Sequence, residues 1–328
     1  MAKRIGVLGG GAWGTALATM LSANGHSVIQ WMRDQDTVKS INESRKNAKY
    51  LPGIDLCEKL EATGDFKRAL HTDILLAVTP AQSFARLCEE MAGSVSKSAS
   101  VVLCAKGIDR QSGKLLSDIA TKQLHDNHVA VLSGPSFAVD VATGKPTAVT
   151  LAADTIEHAS ELSKALSTPT FRIYASDDVR GAELGGALKN VMALAVGAAR
   201  GLALGASAEA ALIARGFAEI NRLAVALGAR AETLSGLSGL GDLVLTCSSP
   251  QSRNFSYGVA LARAEDLTNL PLAEGAFTAE IAARIARQNQ VDTPIIDAIT
   301  EVLGKRISVD DAVAQLLSRP LKAEINSS

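Results

Sequence analysis

Up to about residue 175 the chain alternates short aliphatic and β-branched runs with stretches whose apolar positions recur at helical spacing. The runs predict strands at 4–8, 27–31, 74–78, 101–104, 129–132, 148–151 and 171–174. Between several of them the spacing predicts helices at 14–24, 82–92, 136–143 and 155–166. Strands that are apolar throughout and separated by helices imply a parallel sheet covered on both faces. After about residue 178 strand signals nearly vanish. Alanine- and leucine-rich helices, punctuated by Gly and Pro, are expected at 179–200, 208–227, 254–264, 277–288, 294–303 and 308–317. The fold class is therefore expected to be α/β, with a mostly parallel sheet domain over 1–178 and an all-α domain over 179–328. The tail from Arg319 reads as a frayed end.

The first predicted strand runs into Gly9-Gly10-Gly11-Ala12-Trp13-Gly14 and then into helix-forming Thr15-Ala16-Leu17-Ala18. G-x-G-x-x-G alone is weak, but here it stands between a strand and a helix, the context a dinucleotide-binding turn requires. Gly9 permits the tight turn, Gly11 lets backbone approach a pyrophosphate, and Gly14 lets the helix lie close to the strand. Free N–H groups and the positive helix end then hold the anion. The sheet domain is accordingly expected to be of the Rossmann type; the other reading is a plain glycine-rich turn. In NAD-selective versions an acidic residue about 20 positions on ends the second strand and bonds the ribose. Here that strand ends Gln30-Trp31-Met32-Arg33-Asp34. Arg33 facing a 2′-phosphate would favour NADP(H), although it also fits an ordinary surface arginine, and Asp34 follows by one residue.

Charged residues stand where a core is expected. Between Glu183 and Arg200 the one charge is Lys189, surrounded by apolar side chains on nearly every helical face and followed by Asn190. An ammonium buried there is costly, and desolvation lowers its pKa toward the range of a general acid or base; a lysine snorkelling from a half-exposed helix is the bland alternative. Between Glu232 and Arg253 the one charge is Asp242. Ser252, Arg253 and Asn254 then open a helical run, placing hydroxyl, guanidinium and amide donors at a helix N-terminus, which suits a phosphate. The same residues also fit a capping serine and a solvated arginine, with Asp242 as partner of either. Lys106, Gly134 and Ser136 follow predicted strands and can line the same cleft, because ligands of open α/β sheets bind beyond the strands' carboxyl ends.

Composition narrows the chemistry. Lys and Arg total 33 against 34 Asp and Glu, giving a net charge of -1. That balance supplies no global field to recruit nucleic acid or an anionic membrane, so an anionic ligand needs a local cluster. The five histidines lie outside the polar clusters, which disfavours a His–Asp base, and metal-ligand spacing is lacking. The four cysteines are scattered and read as buried free thiols, not a disulfide framework. Apolar stretches are too short for a membrane span, and the N-terminus reads as a strand, not a signal peptide.

Several segments carry a resemblance. They are Gly-Gly-Gly-Ala-Trp-Gly-Thr-Ala-Leu-Ala (9–18), Ala-Lys-Gly-Ile (105–108) and Ser-Gly-Pro-Ser-Phe-Ala (133–138). Leu-Gly-Gly-Ala-Leu-Lys-Asn-Val (184–191), Gly-Leu-Gly-Asp-Leu-Val-Leu-Thr-Cys (239–247) and Ser-Arg-Asn (252–254) follow in order. Over nearly its whole length the chain resembles the bacterial NAD(P)-dependent glycerol-3-phosphate dehydrogenases. The resemblance implies reversible reduction of dihydroxyacetone phosphate to sn-glycerol 3-phosphate, a glycerophospholipid precursor. It implies proton transfer by Lys189 and substrate contacts at Lys106, Gly134, Ser136, Asp242, Ser252, Arg253 and Asn254. Dinucleotide contacts are implied at Ala12, Trp13, Arg33, Tyr50, Lys106, Ala138, Arg253, Leu272 and Glu274, beside Gly9, Gly11 and Gly14. Ala12 stands where the family often has serine, and Ala273 departs from its commoner Val-Glu-Gly ending. The cofactor implied is NADP(H) or NAD(H), and the setting is a cytoplasmic homodimer. A β-hydroxyacid dehydrogenase of similar architecture and a non-catalytic dinucleotide sensor are the competing expectations.

Overall fold

The computed structural model describes residues 2–268, 270 and 273–320. In the first half, β1 (Arg4–Leu8), α1 (Ala12–Ala23), β2 (Ser27–Trp31), α2 (Gln35–Ser44), β3 (Glu61–Thr63), α3 (Phe66–Leu70), β4 (Ile74–Ala77) and α4 (Phe84–Met91) follow one another. They continue with β5 (Ser100–Leu103), α5 (Leu116–Gln123), β6 (His128–Ser133), α6 (Ala138–Ala142), β7 (Thr147–Ala153), α7 (Ile156–Leu166) and β8 (Phe171–Ser176). The strands form one sheet in the order β3-β2-β1-β4-β5-β6-β7-β8. From β3 to β6 this is the doubly wound order that binds dinucleotides where the strand sequence reverses, beside β1 and β4.

The sheet is mostly parallel, as expected; its one antiparallel pairing is β6 with β7, Ala130 opposite Ala153 and Ser133 opposite Thr150. Only α6, five residues long, lies between them. A helix of that length advances about 7.5 Å, too little to carry the chain back along a six-residue strand, so β7 starts at the carboxyl edge. The longer α7 then makes a full crossover, and β8 pairs parallel with β7.

The second half is helical: α8 (Val179–Gly201), α9 (Ala206–Ala226), α10 (Ala231–Leu234), a single π turn (Leu237–Gly241), α11 (Asp242–Cys247) and α12 (Arg253–Ala262). It ends in α13 (Glu274–Gln288), α14 (Pro294–Leu303) and α15 (Val309–Leu317). Helix α8 is buried from Gly181 through Ala199. It packs against β6, β7, the π turn and each of the helices α9 to α14, which is why nearly every face of it is apolar. Five expected helices start two or three residues from their expected bounds: α1 at Ala12, directly after an uncapped Gly11, α4 at Phe84, α6 at Ala138, α9 at Ala206 and α13 at Glu274. The expected frayed tail is tied at its first residue by an Arg319–Asp292 pair at 2.7 Å; residues 321–328 lie outside the described ones. Of the cysteines, Cys88, Cys104 and Cys247 are buried thiols pushed up to about 12 by burial, whereas Cys57 is half-buried.

Candidate active site

Helix α8 sinks Lys189 to 6% exposure. Its Nζ donates to Asp242 Oδ1 at 2.7 Å and to Thr246 Oγ1 at 2.5 Å. Asp242 opens α11 directly after the π turn, and Thr246 lies one helical turn on, so both side chains share the face turned toward α8. The other carboxylate oxygen of Asp242, itself 1% exposed, accepts from Lys106 Nζ at 2.7 Å. Lys106 follows β5 and also donates to the Gly134 carbonyl at 2.9 Å, which accepts from Ser136 Oγ at 3.1 Å. Gly134 adopts φ +148°, and a Cβ there would lie 2.9 Å from Val149 Cα.

One buried carboxylate thus bridges an ammonium from the sheet half and one from the helical half. Burial pulls Lys189 down to about 8; Asp242 opposes the fall and the Lys106 charge adds to it. An ammonium has three N–H donors. Among the described residues each lysine spends two, leaving one to offer a ligand. Asp242 does not pair with Ser252 or Arg253, the alternative the sequence left open, because its side chain faces the two lysines.

A second polar cluster stands at the start of α12. Ser252 is the N-cap, accepting from Phe255 N at 3.2 Å, and Arg253 is exposed as the first helical residue. Buried Asn254 donates from Nδ2 to Asn190 Oδ1 at 2.9 Å and accepts from Gly275 N at 2.8 Å. The residue beside Lys189 therefore holds the start of α12. The N–H groups of Arg253 and Asn254, at the first two helical positions, lack intrahelical acceptors and add to the donor set.

The backbone of the glycine turn is shaped for a dinucleotide. Gly9 has φ +140°, and a Cβ on it would lie 2.7 Å from Val78 O; one on Gly14 would lie 2.3 Å from Gly9 O. One on Gly11 would meet nothing within 4 Å. Two glycines are thus required by packing, while the third faces open space beside the uncapped N-terminus of α1, where Ala12 and Trp13 begin the helix. Trp13 packs on Phe171 with ring centroids 6.4 Å apart. These features fit a pyrophosphate.

The turn is held from behind by residues the sequence reading passed over. Gln30 Nε2 donates to Gly9 O at 2.8 Å and Asn47 Nδ2 to Gly10 O at 2.9 Å, and both reach Thr15 Oγ1, at 3.0 and 2.8 Å. Gln30, an amide inside an apolar strand, was a readable signal; Asn47, in a loop, was not. Thr246 was missed as well, because its role depends on Asp242 one turn before it.

Arg33 stands exposed over the Trp31 ring at 5.9 Å and 4.0 Å from Glu90. Asp34 is committed elsewhere: Oδ1 caps α2 by accepting from Asp36 N and Thr37 N, and Oδ2 takes Lys49 Nζ at 3.1 Å. Lys49 also lies over the ring of exposed Tyr50, at 5.2 Å. Ala138 opens α6 and Glu274 opens α13. Glu274 Oε2 is buried without a hydrogen-bond partner among the described residues, and burial raises its pKa against the pull of Arg253 and the Ala81 N–H. Leu272 lies outside the described residues.

The doubly wound sheet, the glycine turn at its switch point and the pair of lysines, buried Lys189 and half-buried Lys106, that share the Asp242 carboxylate together define a two-domain dinucleotide-dependent oxidoreductase. Models of the NAD-dependent glycerol-3-phosphate dehydrogenase N-terminus and C-terminus match residues 4–159 and 178–314. The chain belongs to that family. Glycerol-3-phosphate dehydrogenase (NAD(P)+) of Chelativorans sp. is 53% identical over 321 residues, covering 98% of both chains. Its counterpart in Brucella canis is 51% identical over 325 residues, 99% of this chain and 100% of the relative. The crystal structure of glycerol-3-phosphate dehydrogenase from Coxiella burnetii matches with a TM-score of 0.92 at 35% identity, over 97% of this chain and 99% of that one.

Proposed function

We propose that the protein interconverts dihydroxyacetone phosphate and sn-glycerol 3-phosphate with NAD(P)H. The observation that carries this reading is Lys189, buried on α8, hydrogen-bonded to Asp242 and Thr246 and, among the described residues, left with one free N–H donor. Residues 1–178 hold most of the dinucleotide and residues 179–328 most of the substrate. Gly9, Gly11, Ala12, Trp13, Gly14, Arg33, Tyr50, Ala138, Leu272 and Glu274 serve the dinucleotide, and Lys106 and Arg253 serve both ligands. When bound, the dinucleotide supplies the hydride that reduces the C2 carbonyl.

The chain's own part is electrostatic and protonic. Ser252, Arg253 and Asn254 hold the substrate phosphate at the N-terminus of α12. Lys189 gives its free N–H to the C2 oxygen, stabilises the negative charge developing there and transfers the proton from Nζ. Asp242 and Thr246 keep the amine aimed. Lys106, tied to Gly134 and Asp242, adds a second positive charge beside the same oxygen. With Asp34 engaged by α2 and Lys49, Arg33 is the side chain left to meet a 2′-phosphate, which supports NADP(H) over NAD(H).

Among the described residues no helix is long and apolar enough to cross a membrane, and a homodimer in the cytoplasm is the assembly and location that the family resemblance supports. The test is steady-state oxidation of NADPH and of NADH with dihydroxyacetone phosphate, 2-keto acids and 3-keto acids in parallel. Dihydroxyacetone phosphate is expected to be the preferred substrate. A preferred keto acid would reassign the enzyme to the β-hydroxyacid class, and no oxidation with any of them would point to a sensor.

A further inference from the structure

The helices that carry the substrate-facing residues meet main chain to main chain. A Cβ built on Gly258 of α12 would lie 2.2 Å from Leu194 O of α8, and one on Gly197 of α8 would lie 2.1 Å from Phe255 O of α12. One on Gly201 would lie 2.7 Å from Val259 O. None of these positions admits a methyl group unless a backbone moves. Helix pairs ordinarily stand about 8–10 Å apart because side chains interdigitate and can repack; a carbonyl seated on a glycine has no side chain to yield. Facing positions advance together along both helices, Asn190 beside Asn254 and Leu194 beside Gly258. The register of α12 on α8 is therefore set by covalent geometry.

The same contact fixes the chemistry at its near end. Lys189 adjoins Asn190, and α12 begins with Arg253 and Asn254 behind its N-cap Ser252. The Asn254–Asn190 bond at 2.9 Å and the Gly275 N–Asn254 bond at 2.8 Å tie that end, and a Cβ on Gly275 would lie 2.4 Å from Asn190 O. We infer that Gly197 and Gly258 are specificity-determining residues that fix the separation between the Lys189 amine and the N-terminus of α12. They thereby set the distance from carbonyl oxygen to phosphate in an accepted substrate. The inference rests on the reading of α12 as the phosphate-holding helix.

The test compares kcat/KM for dihydroxyacetone phosphate with that for dihydroxyacetone, the same ketone without its phosphate, in full-length Gly197→Ala, Gly258→Ala and the milder Gly201→Ala. Displacing α12 leaves Lys189 in place but withdraws the phosphate donors. The selectivity for the phosphorylated ketone should then fall about tenfold or more at 197 and 258, through KM, since a misplacement near 1 Å costs up to about a hundredfold. Gly201→Ala should lose less. Selectivity within about twofold of wild type in folded variants would overturn the inference. So would a parallel loss for both ketones, or the failure of all three variants to fold, which would make the glycines purely structural. If wild-type protein does not reduce dihydroxyacetone phosphate, the underlying reading fails first; if it does and selectivity holds in the variants, only the gauge fails.

Discussion

Lys189 is governed by two opposed energies. Burial disfavours its charge, the Asp242 carboxylate favours it, and the balance leaves the amine at about 8 instead of its ordinary 10.5. Reduction of the ketone needs the protonated amine, so kcat/KM for reduction should decline as pH rises through about 8, while oxidation of the alcohol should gain over the same range. Lys189→Ala should lower kcat by about 10²–10⁴-fold, with NADPH affinity measured by fluorescence titration largely kept; turnover near wild type would remove the lysine from the mechanism. Thr246→Val takes away one of the two hydrogen bonds that hold the charged form. Losing it should move the alkaline limb downward, because the charged amine forms the stronger bond of its two protonation states. A limb that stays put would show that Thr246 does not stabilise the ammonium. Lys189 and Asp242 were legible because each is a single charge in a long uncharged stretch. Their meeting with Lys106 was not, since Lys106 and Asp242 are 136 residues apart and nothing local to either announces the other.

Between strand and helix, the glycine turn separates packing from binding more sharply than the motif alone suggests. A methyl on Gly9 or Gly14 collides with backbone, whereas one on Gly11 enters open space. Gly11→Ala should therefore leave the melting temperature nearly unchanged, yet raise the Kd for NADPH about tenfold or more by filling the space the pyrophosphate needs, a loss of about 1.4 kcal/mol. Calorimetric melting and NADPH titration of one preparation would check both halves, and equal binding with a lowered melting temperature would contradict the assignment. β1, the turn and α1 were readable because apolar run, glycines and helix formers succeed one another. β3 was not, because Glu61–Thr63 is three residues long, too short for periodicity to register. α2 escaped for a different reason: Gln35–Ser44 is mostly polar and buries only Thr37 and Ile41. Its start is marked by Asp34, a residue whose acidity suggested ribose recognition but whose carboxylate caps the helix.

At the scale of the whole molecule, the change from alternating strands and helices to helices alone was plain in the sequence, but the ties between the two halves were not. Glu183 marks the end of the uncharged stretch around Lys189 and gives no sign of being buried; it is 3% exposed. From α8 its carboxylate accepts from Leu116 N at 2.7 Å, Ser117 N at 3.1 Å and Ser117 Oγ at 2.5 Å, capping α5 of the sheet half. Glu219 does the same for α14, accepting from the N–H groups of Ile295 and Ile296. Burial outweighs these hydrogen bonds and pushes both carboxyls up to about 7. A folded-state pKa raised above the unfolded 4.5 means that the native chain binds the proton more tightly. The resulting stability is complete below about 4.5 and is lost as pH rises through about 7. For Glu183 the shift corresponds to on the order of 3 kcal/mol. Glu183→Gln keeps an acceptor for the α5 N–H groups, offers Ser117 Oγ a donor and cannot ionise. Denaturant unfolding at pH 5 and pH 8 should therefore show a smaller loss of stability across that interval in the variant than in wild type. An unchanged difference between the two pH values would mean that Glu183 is ionised throughout, and that the α8–α5 tie is a charged cap held by its hydrogen bonds.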